Sequence, residues 1–164
     1  MVFNYDTLTN NSELFGTSTG RMIDVGSFSQ SERLRLRQDA DNIYSGTGTL
    51  PLGDHILAIQ ADANGTRAWS SAGLLFDAPG LFQHYTLNGV NLGIGGAFFD
   101  GREFIGDLAE LLVYDRALNP AEINAIGSYL GSKYSLAFAL VPEPSRALLL
   151  LLGLPLLLSR RRWP

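Results

Sequence analysis

Between residues 21 and 37 the chain alternates. Arg21-Met22-Ile23-Asp24-Val25 and Leu34-Arg35-Leu36-Arg37 place an apolar residue at every second position, the period of a half-buried strand. Residues 55–60 (HILAIQ) form a compact apolar run. Asp62-Ala63-Asn64-Gly65 then supplies hairpin chemistry, because Asn-Gly tolerates positive φ, and residues 67–70 are predicted as the returning strand. Turn residues recur at 39–42, at Ala78-Pro79-Gly80, at Asn88-Gly89 and at Asp100-Gly101. Short strands at near-regular spacing with glycine-rich turns predict an all-β, antiparallel β-sandwich.

The pattern changes after residue 92. Gly93-Ile94-Gly95-Gly96 lacks the following helix of a phosphate loop and reads as a β-turn. Phe104-Ile105-Gly106-Asp107 leads into residues 108–114, the strongest strand signal in the chain. One face of that segment reads Leu108, Glu110, Leu112, Tyr114 and the other Ala109, Leu111, Val113. Large apolar groups on both faces predict a central strand, ended by Asp115-Arg116. A short helix follows. Asn119 is the expected N-cap, Pro120 suits N1, and Glu122 at N3 completes a capping box. Leu118 and Ile123 occupy the hydrophobic-staple positions, Ile123, Ile126 and Leu130 share a face, and Gly131 is the expected end.

The last segment is of a different kind. Val141-Pro142-Glu143-Pro144-Ser145 precedes residues 147–158, which hold nine leucines, one glycine and one proline, and Arg160-Arg161-Arg162 follow. As a helix, residues 147–158 cover only about 18 Å, against a hydrocarbon core of roughly 30 Å. Counting from Ser145 to Trp163 brings the span to roughly 28 Å, with the arginines reaching the headgroups. Nine leucines contribute roughly 3–5 kcal/mol to insertion, partly offset by Gly153 and Pro155. The reading is a marginal, transient span with Arg160, Arg161 and Arg162 as a cytoplasmic basic anchor.

Charge separates the two parts further. The whole chain carries 12 basic and 16 acidic residues. The tail from Val141 holds four arginines and one glutamate, so the body has 8 minus 15, a net −7. An acidic body argues against nucleic acid as a partner. No cysteine is present, which excludes disulfides, a thiol nucleophile and thiolate metal sites. Residues 1–20 have neither the basic start nor the apolar core of a signal peptide, so the expectation is a chain start further upstream.

The tail resembles the PEP-CTERM sorting signal of exported Gram-negative bacterial proteins, through Pro142, Glu143 and Pro144, the leucine-rich helix and Arg160–Arg162. Arg146 at the edge of the apolar run and Pro155 within it depart from the simplest form. The resemblance implies recognition by a membrane-embedded exosortase, which removes the tail near the Pro-Glu-Pro motif, a transient stay in the inner membrane, and release to the envelope surface or extracellular matrix. A second resemblance covers residues 106–118, then Glu122, Tyr129-Leu130 and Lys133-Tyr134. These residues resemble the C-terminal end of LamG-like, concanavalin A-like jelly-roll domains, and residues 54–70 and 87–96 fit more loosely. Ser71-Ala72-Gly73 stands where many relatives have a Val-Asp-Gly or Val-Asn-Gly turn. Such domains usually run longer than this body, so the expected jelly roll is N-terminally truncated. The implied function is glycan or matrix binding, sometimes with calcium. The domain reading is 1–137 for the sandwich, 138–145 for a linker with the motif, and 146–164 for a separate hydrophobic sorting helix with its basic cluster.

Candidate chemistry is sparse. Glu103, Asp107 and Glu110 are the tightest acidic group, but their spacings of four and three do not match the two-apart carboxylates of glycoside hydrolases on this fold. A hydrolase-like enzyme is therefore the third reading, behind a binding module and a purely structural adhesion or exopolysaccharide-matrix component, and no catalytic residue is assigned. Asp39, Asp41, Asp62 and Asn64 offer oxygen ligands for calcium at alternate positions, yet Ile43 breaks an EF-hand loop and Asp and Asn are ordinary turn formers. His55 and His84 have no metal-site spacing, and no Gly-x-Ser-x-Gly elbow exists. Trp69, Tyr85, Phe98 and Phe99 are the aromatic candidates for stacking on a polysaccharide, weighed against plain core filling.

Overall fold

The computed structural model describes residues 1–7, 12–17, 22–27, 30–37, 43–79, 92–96 and 103–143. These form three antiparallel sheets and one short helix. The strands are β1 (Val2–Tyr5), β2 (Ser12–Thr17), β3 (Met22–Ser27), β4 (Gln30–Arg37), β5 (Ile43–Thr49), β6 (Gly53–Ile56), β7 (Ala58–Asp62), β8 (Gly65–Ser70), β9 (Gly73–Pro79), β10 (Leu92–Ile94) and β11 (Gly106–Glu110), and α1 spans Pro120–Tyr134. One sheet runs β11-β1-β6, a second β10-β2-β3-β4-β5 and a third β7-β8-β9. The arrangement is consistent with the expected all-β sandwich.

The alternating segments become strands for the reason their pattern gives. Ile23 pairs with Leu36 and Val25 with Leu34, so the apolar positions of β3 and β4 share a face, and Ile23 and Leu34 enter the main core with Phe3, Tyr5 and Leu75. A bulge between Glu13 and Phe15 lets β2 send Leu14 and Phe15, neighbours in sequence, into that same core. On β1, Phe3 and Tyr5 join the main core, while Val2 packs with Ile56 of β6 and Leu130 of α1. The helix therefore covers one face of the β11-β1-β6 sheet and the main core lies on the other.

The hairpin at Asp62 forms as predicted, with Ala63 and Asn64 as its two-residue loop between β7 and β8. Its positive φ belongs to Gly65 (136°), where a Cβ would run into the carbonyl of Ala78 on β9. Four expectations need correction. The apolar run 55–60 is two strands, divided at Leu57 between two sheets. Ala78 and Pro79 end strand β9 rather than making a turn, and Gly93 lies within β10. The strand expected centrally at 108–114 is instead β11, which ends at Glu110 and lies at a sheet edge with β1 as its only ladder neighbour among the described residues. Leu108, Leu112, Val113 and Tyr114 are exposed, Val113 at 68%. Two apolar faces signal that a segment can be covered on both sides; they do not by themselves supply the neighbouring strand.

Candidate functional site

The helix and the strap that follows it bring the Pro-Glu-Pro motif to its place. At the helix start, Asn119 accepts the Glu122 N–H at 3.0 Å and the Glu122 carboxylate accepts the Asn119 N–H at 2.9 Å, the full capping box read from sequence. Arg116 grips the same carboxylate with two nitrogens, at 2.7 and 2.9 Å. The Arg116 hydrogen bonds first, and the Asn119 amide second, hold Glu122 down at about 2. Leu118 and Ile123 pack together with Trp69 and Val141.

The helix does not end at Gly131. It runs to Tyr134 and is closed by Ser135 in the left-handed conformation, φ 58° and ψ 37°, with the Leu136 N–H donating to Gly131 O at 3.0 Å. The early stop expected from Gly131 fails because this glycine serves the reversal from inside the helix: a Cβ on it would meet the Leu136 carbonyl. The chain then doubles back as a strap. Leu136 and Phe138 pack against the residues around Leu130, and Phe138 also reaches the Trp69 cluster. Gly127 makes room for the Phe138 ring, which a Cβ there would strike. Ala139 donates its N–H to Ser70 O at 3.3 Å.

The strap is fastened at its last buried residue. The Asn124 side chain donates to Val141 O at 3.0 Å and accepts the Val141 N–H at 2.7 Å, so one amide satisfies both backbone groups of Val141. Pro142 has no N–H and favours extended backbone in the residue before it, so the same two-bond clamp cannot pass on to Pro142. Val141 is 5% exposed, whereas Pro142 and Glu143 are exposed. In residues 138–141, read from sequence as the first part of a linker, Phe138 and Val141 pack on the sheets and helix and Ala139 bonds to Ser70, while Leu140 points outward; beyond Val141, Pro142 and Glu143 are exposed. Pro144, residues 146–164 and with them Arg160, Arg161 and Arg162 lie outside the described residues, as do Tyr85, Phe98, Phe99, His84, Asp39 and Asp41. Among the described residues no helix is long and apolar enough to cross a membrane.

The other candidates are dispersed. Trp69 is 5% exposed and packs with Ile123 and Val141, so its ring is core and offers no face to a sugar. Asp62 accepts the Asn64 N–H at 2.7 Å and the Gln60 side-chain amide at 3.1 Å, the Asn64 bond chiefly holding its carboxyl below the usual range. Both of its oxygens serve the turn. Glu103, Asp107 and Glu110 do not converge. Glu103 bridges to Glu13 of the five-stranded sheet, and Asp107 stands opposite Asn4. Glu110 accepts from Lys133 Nζ and Tyr134 Oη, both at 3.0 Å, which lowers its carboxyl, the Lys133 bond most.

A charged row that the sequence reading missed crosses the five-stranded sheet. Glu13, Asp24 and Arg35 are register partners on β2, β3 and β4, and all three are buried. Arg35 donates to Asp24 through Nε at 2.9 Å and through Nη2. The row sits on the opposite face of the strands from Ile23 and Leu34. Its signal was a charged residue at the same phase of each strand, eleven residues apart at 13, 24 and 35. Comparison of the chain with protein families, with curated proteins and with solved structures finds no match.

Proposed function

We propose that this chain is an exported surface or matrix-associated protein, delivered by a C-terminal PEP-CTERM-type signal and trimmed by an exosortase. In this reading residues 146–164 form the sorting helix and basic anchor, and the sheets form a LamG-like, concanavalin A-like jelly roll that contacts polysaccharide or matrix once released. The observation that supports it most is the Asn124 clamp on Val141. A folded body that is fastened up to Val141 and exposed from Pro142 offers a processing enzyme its motif without first unfolding.

The mature C-terminal peptide, identified by mass spectrometry on material from the native host, tests this. A chain ending near residues 142–144, recovered outside the inner membrane, is the expected result. An intact end through Arg160–Pro164, retained in membranes, would overturn the exosortase assignment. The burial of Trp69 favours, as second reading, an adhesion or matrix component without a defined sugar site. Retardation of the folded chain in polysaccharide affinity gels separates the two readings.

A further inference from the structure

The sheets β11-β1-β6 and β7-β8-β9 meet at Leu57, the one residue between β6 and β7. The ladder of β1 extends to that point: the Met1 amino group donates to Leu57 O at 2.7 Å, and the Met1 carbonyl accepts the Leu57 N–H at 2.9 Å. Past Met1 the two sides of the ladder continue without a strand between them among the described residues. On one side β7 is a sheet edge; on the other, residues 111–114 run on from β11 with no ladder partner. Between them lies a groove of about 610 Å³, walled by residues 56–62 and 111–118, with Met1 at its end. Phe15 and Ile23 border it from the five-stranded sheet, Ile123, Ile126 and Phe138 from the helix and strap. A strand edge along one wall, an unpaired stretch continuing β11 along the other, and apolar side chains from both layers are what an inserted strand requires.

We propose that this groove is a strand-docking site, filled by an extended apolar segment as long as β7, five residues, joined to Met1 by a peptide bond at its nitrogen. The register favours this occupant. Val2 stands opposite Ile56 on one side and Glu110 on the other, so residues added ahead of Met1 continue both ladders, the first between Ala58 and Leu112 and the fifth beside Asp62. The segment runs antiparallel to both walls, as β1 does to β6 and β11. With apolar residues facing it from both layers, it is a continuous apolar run rather than an alternating one. The Met1 amine agrees: burial lowers it from 8.0 to about 6, whereas a peptide N–H there keeps the Leu57 bond and buries no charge. A free peptide or a second copy would have to place a chain end or a loop against Met1.

Three forms of the full chain in mild detergent test the proposal: unextended, extended ahead of Met1 by Val-Ile-Val-Thr-Val, and extended by Gly-Ser-Gly-Ser-Gly. The readout is amide hydrogen exchange at residues 58–62 and 111–115. The apolar extension is expected to slow exchange on both walls by about ten-fold or more relative to the other two forms. Both extensions turn the Met1 amine into a peptide N–H and so remove its rise in stability between pH 6 and 8, and a cooperative unfolding transition in each extended chain is the control that it has folded. Equal wall exchange in the two extended chains overturns the docking site. Equal protection from the same pentapeptide added free, or protection that grows with protein concentration, overturns the covalent occupant in favour of a partner strand or a second copy. An Ala-Val-Ala-Val-Ala extension, apolar at every position but less so, serves the same test where the more apolar one aggregates.

Discussion

The Arg35–Asp24 pair lies inside the five-stranded sheet, and the Arg116–Glu122 pair lies on the surface at the start of α1. Both are two-nitrogen grips on one carboxylate. Arg35 is 4% exposed and Asp24 fully buried, whereas Arg116 is 59% exposed. Solvent already satisfies most of what the surface pair offers, so its geometry fixes a corner rather than supplying stability. The buried pair has given up its hydration, and each partner is tolerable only because the other is there. The same chemistry is therefore a local fastening in one region and a condition of folding in the other.

The largest effect expected follows from that contrast. Arg35→Met leaves the Asp24 carboxylate in the sheet without its guanidinium and is expected to cost about 3–5 kcal/mol. Replacing both partners with apolar residues, Asp24→Leu with Arg35→Met, should recover part of that loss, since neither member of the pair then leaves a charge behind, although Glu13 stays buried beside them. Denaturant unfolding of the three chains measures both. A double variant as unstable as the single one would mean that the row is held by Glu13 and its surroundings rather than by the pair, and the comparison would break.

The two regions also differ in how far the sequence discloses them. Asn119, Pro120 and Glu122 act on neighbours within three residues, so the cap could be read directly. Leu118 and Ile123 completed the reading, and the packing agrees. The row at 13, 24 and 35 depends on which residues of three strands stand opposite one another, and the bulge in β2 sets that register. The misplacement of residues 108–114 has a related cause, since strand neighbours are set by β1, a hundred residues away. The clamp of Val141 by Asn124 was invisible for the same reason: seventeen residues separate them and only the reversal at Ser135 brings them together. The acidic candidates failed because neighbours in sequence need not converge in space: Glu103 makes an isolated bridge to Glu13 of β2, while Glu110 stands opposite Val2 of β1.

A middle-sized effect tests the corner where helix and strap meet. Glycine within a helix ordinarily gains about 1 kcal/mol on replacement by alanine. At Gly127 the added methyl meets the Phe138 ring, so Gly127→Ala is expected to lose about 1–3 kcal/mol instead. Because Phe138 belongs to the strap, the same change should loosen Val141 and speed limited proteolysis between residues 138 and 143. Thermal unfolding and cleavage mapping check the two halves separately. A stabilised chain with an unchanged cleavage rate would show that the strap yields freely and is no fastening.

The smallest effect sharpens the surface side of the comparison, because cap and ion pair share one carboxylate. Asn119→Ala removes the side-chain acceptor for the Glu122 N–H, at a cost of about 1 kcal/mol, but leaves the Asn119 backbone N–H in place. Arg116→Ala does the reverse: the cap stays and the main cause of the depressed Glu122 carboxyl goes. Glu122 titrates at about 2 in the folded chain and near 4.5 ordinarily, so its contribution is complete above pH 4.5 and is lost as pH falls towards 2. The stability difference between the chain and Arg116→Ala should accordingly be constant above about pH 4.5 and shrink below it. A carboxyl titration followed by NMR should find Glu122 moved upward in Arg116→Ala and still low in Asn119→Ala. An upward move in Asn119→Ala as large as in Arg116→Ala would mean that the cap positions the ion pair, and that the surface corner is as cooperative as the buried row.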